Sequence, residues 1–442
     1  MEKTVGEQTV GIALLGTGVV GRGVIDILAQ QRDLLRSRTG LTIEVRSRVC
    51  RDPSKYEDDE TGIKATTNIA NAIGDPKTGI VVEVMGGIDA PRHAISAALA
   101  AGKHVVTANK ALLAAHGAEL FELAKKHGVS IAFEASCGGG IPIIDALTRG
   151  LVANRIDALI GIINGTCNFI LTQMAQNGWT YADALKEAQR IGFAEADPTM
   201  DVSGRDSAQK LAILATLAFN QQVSETDIAL TGIDTLKAED LQFVDDLGYV
   251  IKLLGIGERV EGQLALRVQP TLVHKGDLMS DVSGGFNAIS VYGHAIGHQF
   301  FYGRGAGQTP TASAVVADIL GVAMGTIPHA FERLNVFHGR LKKARALPAD
   351  QMESRFYLRA TTQDTPGVLA GMTQALARHG ISIAAVHQPE IAAGTKHVPI
   401  VVTTHKASEG AMQKALAEID AMKSVQAPTV FLRILERPAE FG

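Results

Sequence analysis

The sequence predicts an α/β protein of three domains. Its 442 residues are typical of about three domains. A short apolar run near the N-terminus leads into a glycine-rich turn, after which strand and helix patterns alternate. Beyond a basic run at residues 337–345, a second strand–helix pattern begins. We therefore expect a nucleotide-binding domain over 1–150 completed by a helix near 307–325, an α+β domain over 151–330, a linker over 331–352 and a small α+β domain over 353–442.

Composition excludes several classes of protein. Apolar residues make up 46% of the chain and charged residues 20%, as in proteins with packed cores. The net charge of −4 gives no reason to expect nucleic acid or a membrane as a partner. Glycines interrupt the apolar residues 9–20, and no run approaches the roughly 18 residues of a membrane span. Three scattered cysteines indicate a reducing compartment, so we expect a cytoplasmic protein.

A complete G-x-G-x-x-G motif follows the first strand. Residues 10–15 form a continuous apolar run, which is typical of a strand buried on both faces, and residues 24–35 have helical periodicity. In this context the glycines allow a tight turn, close approach of backbone to a pyrophosphate and close helix–strand packing. The alternative is a merely structural turn. We favour a dinucleotide site, and its predicted residues are Gly16, Thr17, Gly18, Val19, Val20 and Gly21.

The end of the second strand predicts which dinucleotide binds. Residues 42–50 form this strand, and sites that prefer NAD usually carry an acidic side chain at its end. Here Arg48 and Arg51 precede Asp52. Arginine suits the 2′-phosphate of NADP, so we favour NADP and keep NAD as the alternative. The alternative is that these side chains are ordinary solvated charges of a loop.

Further strand ends in this domain carry candidate site residues, because ligands bind at the carboxyl ends of such sheets. The strand at 79–85 ends at Gly86, and the strand at 104–107 ends just before Lys110. The strand at 129–133 ends at Glu134 and a turn with three consecutive glycines. Clustered carbonyls beside a carboxylate suit a hard cation, although a tight connection also explains this turn. Helices are expected at 91–101 and 112–127.

A cluster of carboxylates around one lysine marks the middle domain. Asp206 and Lys210 are four residues apart at the start of a predicted helix and therefore share a face. Glu195 and Asp201 precede that helix. This pattern indicates a polar site on an apolar scaffold, and the alternative is a surface ion pair with a helix cap. The remaining predicted elements are strands at 158–163, 259–272 and 288–302 and helices from 170, at 181–190 and at 311–324.

Two further segments offer polar groups. The turn at residues 164–166 places Gly165 and Thr166 before a helix, where they can cap it or hold a polar substrate. The last domain has the predicted order strand, helix, strand, strand, helix, strand. Its strands are expected at 355–361, 381–387, 398–404 and 429–435, and its helices at 367–379 and 409–422.

These motifs together resemble homoserine dehydrogenase of the long bacterial type over essentially the whole chain. The resemblance rests on the glycine motif, the Asn109-Lys110 pair, Glu134 with its glycine turn, the segments at 164–166 and 192–198, and the helix start at 206–210. The last domain resembles an ACT domain, on the Asp-x-Pro-Gly-Val-Leu motif at residues 364–369. The implied fold is a Rossmann-type domain, an α+β catalytic and dimerisation domain and a ferredoxin-like ACT domain.

The resemblance implies a reaction and a role for each site residue. The reaction is the reversible, NAD(P)-dependent interconversion of L-aspartate 4-semialdehyde and L-homoserine. Lys210 would donate the proton, Asp206 would keep Lys210 charged and contact substrate, and Lys110 would lie between cofactor and substrate. The other implied residues are Glu195, Asp201, Thr166 and Gly165 for substrate, Arg51, Gly86, Gly192 and Gly307 for cofactor, Glu134 with the carbonyls of Cys137, Gly139 and Ile141 for sodium, and Asp364 and Gly367 for regulation.

The resemblance also implies partners: L-threonine as effector, and a second or further copies of the chain in a homodimer or homotetramer. Two alternatives stay open at this stage. One is another Rossmann-type dehydrogenase of a small amino-acid aldehyde, and the other is a non-catalytic sensor of dinucleotide and amino acid. The set of Glu195, Asp206 and Lys210 argues against a sensor, which needs no proton donor.

Overall fold

The computed structural model describes residues 8–56, 61–334, 341–388 and 396–438. Part of the predicted linker, residues 335–340, lies outside the described residues. The chain divides into two compact units, and we describe each by itself. The first unit comprises Met1–Gly165, Arg205–Asp227 and Gly285–Ala344, and the second comprises Thr166–Gly204, Ile228–Gly284 and Arg345–Gly442.

The elements are numbered along the chain. The strands are β1 (Gln8–Leu15), β2 (Leu41–Val49), β3 (Lys64–Thr66), β4 (Thr78–Glu83), β5 (His104–Thr107), β6 (Ile131–Ala132), β7 (Ile156–Ile162), β8 (Ala229–Leu230), β9 (Tyr249–Val260), β10 (Gln263–His274), β11 (Phe286–Gly293), β12 (Gly297–Arg304), β13 (Glu353–Gln363), β14 (Ile383–His387), β15 (His397–Thr404), β16 (Ala407–Ser408) and β17 (Val425–Ile434). The helices are α1 (Val19–Gln30), α2 (Arg32–Thr39), α3 (Ile69–Gly74), α4 (Asp89–Ala100), α5 (Lys110–Lys126), α6 (Ile143–Asp145), α7 (Gly165–Asn177), α8 (Tyr181–Arg190), α9 (Thr199–Val202), α10 (Arg205–Phe219), α11 (Ala238–Asp246), α12 (Gln308–Ala323), α13 (Thr326–Arg333), α14 (Val368–Arg378) and α15 (Glu409–Asp420).

The first unit contains a Rossmann-type parallel sheet, as predicted. Its strand order is β3-β2-β1-β4-β5-β6, and every pair is parallel. The chain order changes direction at β1, so the strand ends beside β1 and β4 form the crevice where such sheets bind ligands. Strand β1 is buried on both faces, from Gly11 to Leu15, which explains its continuous apolar run.

Helix α12 packs on this nucleotide-binding sheet, although in the chain it lies far beyond β6, the last strand of the sheet. Its side chains Val315 and Ile319 share a buried cluster with Ile12 and Leu14 of β1. A Cβ atom built at Gly23 of α1 would lie 2.9 Å from the Cβ of Ala312, so glycine allows the two helices to approach closely. Elsewhere in the same unit, β7, β11 and β12 form an antiparallel group.

The second unit joins a β-hairpin to the C-terminal module. Strands β9 and β10 pair antiparallel, and β10 pairs in parallel with β17 through Thr271 with Arg433 and Leu272 with Ile434. The C-terminal module has the order β13, α14, β14, β15, α15, β17 around its own buried cluster. This order confirms the ferredoxin-like ACT prediction. Strand β17 is thereby shared between the module's sheet and the hairpin.

Several element boundaries differ from the prediction, and glycines account for most of the differences. Helix α1 begins at Val19 inside the glycine motif and not at residue 24, and α7 begins at Gly165 and not at 170. The predicted segment 259–272 contains a hairpin turn at Glu261 and Gly262, both with positive φ. Helix α11 was not predicted. Among the described residues no single helix has the length and apolar character to cross a membrane, and only the bent pair of α12 and α13 reaches that threshold together.

A buried ion pair connects α11 to the ACT module within the second unit. Arg359 on β13 donates through Nε to Asp240 Oδ1 at 2.8 Å, and its guanidinium also lies over the Phe243 ring. The side chains are 7% and 1% exposed. Asp240 Oδ2 also accepts from the Lys237 backbone N–H, so the carboxylate is satisfied only while Arg359 is present.

Replacing Arg359 should therefore destabilise the second unit strongly. We expect Arg359→Met to lower the free energy of unfolding by about 3–5 kcal/mol, because it leaves the buried Asp240 charge unpaired. The matched control is Arg378→Met, whose pair with Glu418 is exposed and should contribute under about 1 kcal/mol. Urea unfolding of both variants measures the difference. Equal losses in the two variants would contradict this account of the buried pair.

Candidate active site

The site in the first unit is built around a buried carboxylate between two lysines. Asp206, in the first turn of α10, receives Lys210 Nζ on Oδ2 at 2.7 Å, and its Oδ1 lies 3.2 Å from Lys110 Nζ. The Asn164 amide donates to the same Oδ2 at 2.8 Å. Burial opposes ionisation of Asp206, but the two lysine charges and these hydrogen bonds lower its pKa to about 2. The carboxylate is therefore ionised throughout the neutral range.

Three elements bring these groups together. Asn109 caps α5 by accepting the Leu112 N–H at 3.1 Å, which places Lys110 in the first turn of that helix at the end of β5. Lys210 follows Asp206 by one turn of α10 and also donates to the Ile163 carbonyl at 2.8 Å. The Lys210 side chain is 12% exposed and that of Lys110 is 35% exposed. The two ammonium groups are thereby fixed beside one carboxylate, and the cluster carries a net positive charge.

The sequence predicted part of this arrangement and missed part of it. The pairing of Asp206 with Lys210 follows from their spacing. The contact of Lys110 with Asp206 was not predicted, because it joins residues far apart in the chain. Asn164 and the Ile163 carbonyl were not identified as ligands of the two charges. An Asn-Gly pair indicates a turn, and nothing in its local pattern signals a hydrogen bond to residue 206. Cys137 lies behind the cluster, its Sγ 3.9 Å from the Lys210 carbonyl, and burial raises its thiol pKa to about 12.

A cavity of about 810 Å³ lies at the glycine motif of the same unit. Its lining includes Gly16, Gly18, Arg51 and Gly86. Gly16 has φ +106°, and a Cβ at Gly21 would lie 2.2 Å from the Gly16 carbonyl oxygen, so the turn and the helix packing both require glycine. A Cβ at Gly18 would meet nothing within 4 Å, so this position faces open space at the start of α1. This is the division of roles expected for a pyrophosphate site.

The residues at the end of β2 divide between two cavities. Arg51 is exposed and lines the 810 Å³ cavity. Arg48 is 2% exposed, and its guanidinium stacks over the Tyr56 ring at 4.7 Å, lining a neighbouring cavity of about 450 Å³. Asp52 accepts from Ser54 Oγ at 2.6 Å and from the Ser54 N–H, which lowers its pKa. Of the two arginines, Arg51 is therefore the one on the cavity at the glycine motif.

The glycine turn after β6 is tied to several parts of the unit. Both carboxylate oxygens of Glu134 accept backbone N–H groups, from Ile144 and Asp145, at 2.8 Å each. Burial raises the Glu134 pKa to about 7. A Cβ at Gly139 would lie 2.5 Å from the Gly305 carbonyl, so close packing against that loop already requires a glycine. Among the described residues there is no group of three His, Cys, Asp or Glu side chains suited to a metal.

Thr166, Gly192 and Glu195 belong to the second unit. Thr166 Oγ1 donates to the Phe193 carbonyl at 2.8 Å, and the Phe169 and Phe193 rings stack at 5.0 Å. These contacts hold the turn at Gly192, which has φ +81°, against the start of α7. Glu195 is exposed just beyond that turn. Thr166 and the 192–194 turn are therefore neighbours in the fold.

Asp201 lies in α9 of the same unit, and the Cys167 thiol donates to its carbonyl at 3.2 Å. In the ACT module, Asp364 is exposed in the loop between β13 and α14, and Gly367 has φ +93° and caps α14. In the first unit, Gly307 has φ +119° and caps α12. Each of these glycines adopts a backbone conformation that other residues rarely reach.

Comparison with known proteins gives consistent matches along the chain. Family models match for the NAD-binding domain of homoserine dehydrogenase at residues 16–134, homoserine dehydrogenase at 142–320 and the ACT domain at 356–422. A homoserine dehydrogenase of Pseudomonas aeruginosa is 42% identical over 413 residues, which cover 92% of this chain and 95% of that protein.

Solved structures of homoserine dehydrogenases are also similar to this chain. A homoserine dehydrogenase from Thiobacillus denitrificans has a TM-score of 0.91 and 42% identity, covering 98% of this chain and 99% of that one. A hyperthermophilic archaeal homoserine dehydrogenase in complex with NADPH has a TM-score of 0.61 and 26% identity, covering 72% of this chain and 98% of that one.

Proposed function

This chain belongs to the homoserine dehydrogenase family, and on that premise we propose that Lys210 donates the proton when L-aspartate 4-semialdehyde is reduced to L-homoserine. The observation that carries the proposal is the buried contact of Asp206 with both Lys210 and Lys110. A proton donor must be charged in the resting site and fixed towards the reacting atom. The Asp206 carboxylate and the Ile163 carbonyl hold the Lys210 ammonium group in place, which supports this role.

The chemistry of the reduction follows from charge. The nicotinamide ring supplies the hydride when the cofactor is bound. As the aldehyde carbon accepts hydride, its oxygen becomes negative, and a fixed ammonium group beside it stabilises that charge. Lys210 then transfers a proton to the oxygen, and Lys110 keeps the site positive while this happens. In the oxidation direction the same amine accepts the hydroxyl proton of homoserine.

Substrate recognition is assigned to Glu195, Asp201, Thr166 and the backbone at Gly165. Glu195 is an exposed carboxylate that suits the α-ammonium group of an amino acid, with Asp201 assisting. Thr166 and the backbone at Gly165 are proposed to hold the polar end of the substrate. Their support is the contact of Thr166 with the 192–194 turn, which places this hydroxyl beside the segment that carries Glu195. Gly192 is proposed to contact the cofactor.

For the cofactor we propose NADP in preference to NAD. Arg51 is exposed on the lining of the cavity at the glycine motif, and guanidinium groups bind phosphates in a fork. A nicotinamide dinucleotide as such is supported by the NAD-binding family model, and NADPH was bound by the archaeal relative. Gly307 at the start of α12 is proposed as a further cofactor contact.

The proposed ligands of a sodium ion are the Glu134 carboxylate and the carbonyl oxygens of Cys137, Gly139 and Ile141. Carbonyl oxygens near one carboxylate suit a hard monovalent cation. Both Glu134 oxygens already accept backbone N–H groups, and the Ile141 carbonyl accepts the Ile143 N–H at 2.8 Å. The remaining acceptor capacity of these oxygens is what supports a cation here, so the site would be weak.

The ACT module is proposed to bind L-threonine and inhibit the enzyme, since threonine is made from homoserine. Asp364 and Gly367 lie in the exposed loop before α14 and are the residues assigned to the effector. We also propose a homodimer or homotetramer. The edge strand β14 supports this, because it carries exposed residues such as Val386 that a second chain would cover.

Removing the Lys210 ammonium should abolish turnover without emptying the cofactor site. We expect Lys210→Met to lower kcat by about 100-fold or more, because the variant has neither charge stabilisation nor a proton to give. Affinity for NADPH, measured by fluorescence titration, should stay within about twofold. Lys126→Met, at the exposed end of α5, is the matched control and should behave as wild type. Near-normal turnover in Lys210→Met would refute the assignment.

Reversing the charge at residue 51 should change cofactor preference. We expect Arg51→Glu to lower kcat/KM with NADP+ by about tenfold or more relative to kcat/KM with NAD+, because a carboxylate repels the 2′-phosphate. The measurement is homoserine oxidation with each cofactor in turn. Arg38→Glu, an exposed position on α2, controls for a general change in charge. An unchanged ratio in Arg51→Glu would place the 2′-phosphate elsewhere.

Inhibition by threonine should depend on the loop before α14. We expect Asp364→Ala to raise the threonine concentration for half-inhibition by about tenfold, with uninhibited turnover retained, because the variant lacks one charged effector contact. Glu418→Ala, an exposed carboxylate on α15 of the same module, should leave inhibition unchanged. Steady-state assays over a threonine series measure both. If wild-type enzyme shows no inhibition by threonine, the effector assignment is wrong.

A further inference from the structure

A buried glutamate lies at the end of β4, where the local pattern predicts an aliphatic residue. Ile80, Val81 and Val82 are all at most 2% exposed, and Glu83 continues this run at 0%. A carboxyl group in such a place is costly unless its oxygens are satisfied. The burial of Glu83 therefore requires an explanation, and neither the glycine motif nor the lysine cluster provides it.

The Glu83 carboxylate accepts donors from two neighbouring strand ends. Oε1 accepts the Met85 N–H at 2.8 Å, and Oε2 accepts the Thr107 hydroxyl at 2.7 Å. The Gly86 N–H and the Asn109 side chain also favour the charged form of this carboxyl group, as smaller influences on its pKa. Burial raises the pKa of Glu83, and the hydrogen bonds from Thr107 and Met85 oppose that rise. Both carboxyl oxygens of Glu83 therefore act as hydrogen-bond acceptors, one towards each strand end.

One side of this network fixes the turn at the cofactor cavity. Gly86 and Gly87 follow β4 with φ +74° and +81°, and Gly86 lines the 810 Å³ cavity. A Cβ at either glycine would meet nothing within 4 Å, so no neighbouring atoms crowd these two positions. Two hydrogen bonds hold the turn: the Met85 N–H donates to Glu83, and Asn109 Nδ2 donates to the Gly87 carbonyl at 2.8 Å.

The other side fixes the start of α5. The Thr107 hydroxyl accepts the Asn109 N–H at 3.0 Å while it donates to Glu83. Asn109 in turn caps α5, whose first residue is Lys110. Lys110 reaches Asp206 at 3.2 Å. A single carboxylate thus sets the position of both the cavity turn and the helix end that carries the second lysine of the site.

We propose that Glu83 is a positioning residue of the dehydrogenase reaction, which orients the Gly86–Gly87 turn towards the cofactor and Lys110 towards the reacting group. The proposal rests on the role assigned above to Lys110. Glu83 itself touches neither substrate nor cofactor in this scheme. It acts through two separate segments, so its loss should affect cofactor binding and turnover together.

The test is Glu83→Gln in the full-length enzyme. The side chain keeps its size, but one oxygen becomes an amide donor that faces the donor from either residue 85 or residue 107. We expect KM for NADP+ to rise about tenfold and kcat to fall about tenfold. The control is Asp240→Asn, the same change at a buried carboxylate of the other unit. It should lower the melting temperature and leave both kinetic constants near wild type.

A double-mutant cycle distinguishes positioning from general damage. If Glu83 acts on turnover through Lys110, its effect on kcat should largely disappear in a Lys110→Met background. Equal losses of kcat with and without Lys110 would overturn that half of the proposal. If Lys110→Met alone turns over normally, the role of Lys110 is wrong, while NADPH affinity of Glu83→Gln still tests the cavity turn. Wild-type NADPH affinity would overturn that half as well.

Should Glu83→Gln fail to fold, Thr107→Val serves instead. It removes the hydroxyl that donates to Glu83 and accepts the Asn109 N–H, it leaves the carboxylate in place, and valine matches threonine in shape. We expect the same joint change in KM and kcat at about threefold each, with the effect on kcat again dependent on Lys110. Wild-type constants in a folded Thr107→Val enzyme would overturn the proposal.

Discussion

The buried carboxylate of Asp206 is the constraint on which the site depends. A charge at this depth is unfavourable by itself, and only the two lysines with the Asn164 amide make it stable. These partners come from α5, from α10 and from the segment after β7. The geometry of the site is therefore fixed by three elements at once. A shift in any of them leaves a buried charge without its partner, which opposes the shift.

The balance of charge in this cluster suits the reaction better than a neutral one would. Two ammonium groups and one carboxylate leave one net positive charge, next to which an oxygen can become negative during hydride transfer. A second carboxylate would cancel that charge. Without the carboxylate, two neighbouring ammonium groups would repel each other, and each would lose protons more readily. In the proposed mechanism Asp206 thus keeps the donor protonated while leaving the site attractive to an alkoxide.

Features that depend on short-range spacing could be predicted from the sequence. The roles of Gly16, Gly18 and Gly21 follow from a motif of six residues, and the Asp206–Lys210 pair from one helical turn. Exact helix starts could not be predicted, since α1 begins inside the glycine motif, where periodicity carries no signal. Features that join distant segments were also out of reach. Arg48 is expected from the sequence to be a phosphate ligand, and its stacking over Tyr56, on a neighbouring cavity, could not be foreseen. Glu83 is, by local pattern, only the end of an apolar strand. Its role could not be predicted, because its hydrogen-bond donors come from β5 and from the turn after β4.

The pairing of β17 with β10 limits how an effector can act through the ACT module. A ligand shifts an equilibrium only by its different affinity for two arrangements of the protein. Here the module is not attached by a linker alone. A shared strand, the Leu435 N–H bond to the Leu272 carbonyl and the buried pair of Arg359 with Asp240 all join it to the hairpin and α11. The module therefore cannot rotate freely without breaking these contacts, at a cost of several kcal/mol. An inhibitory effector is more easily accommodated by a change of twist within this shared sheet, because such a change keeps every one of these contacts.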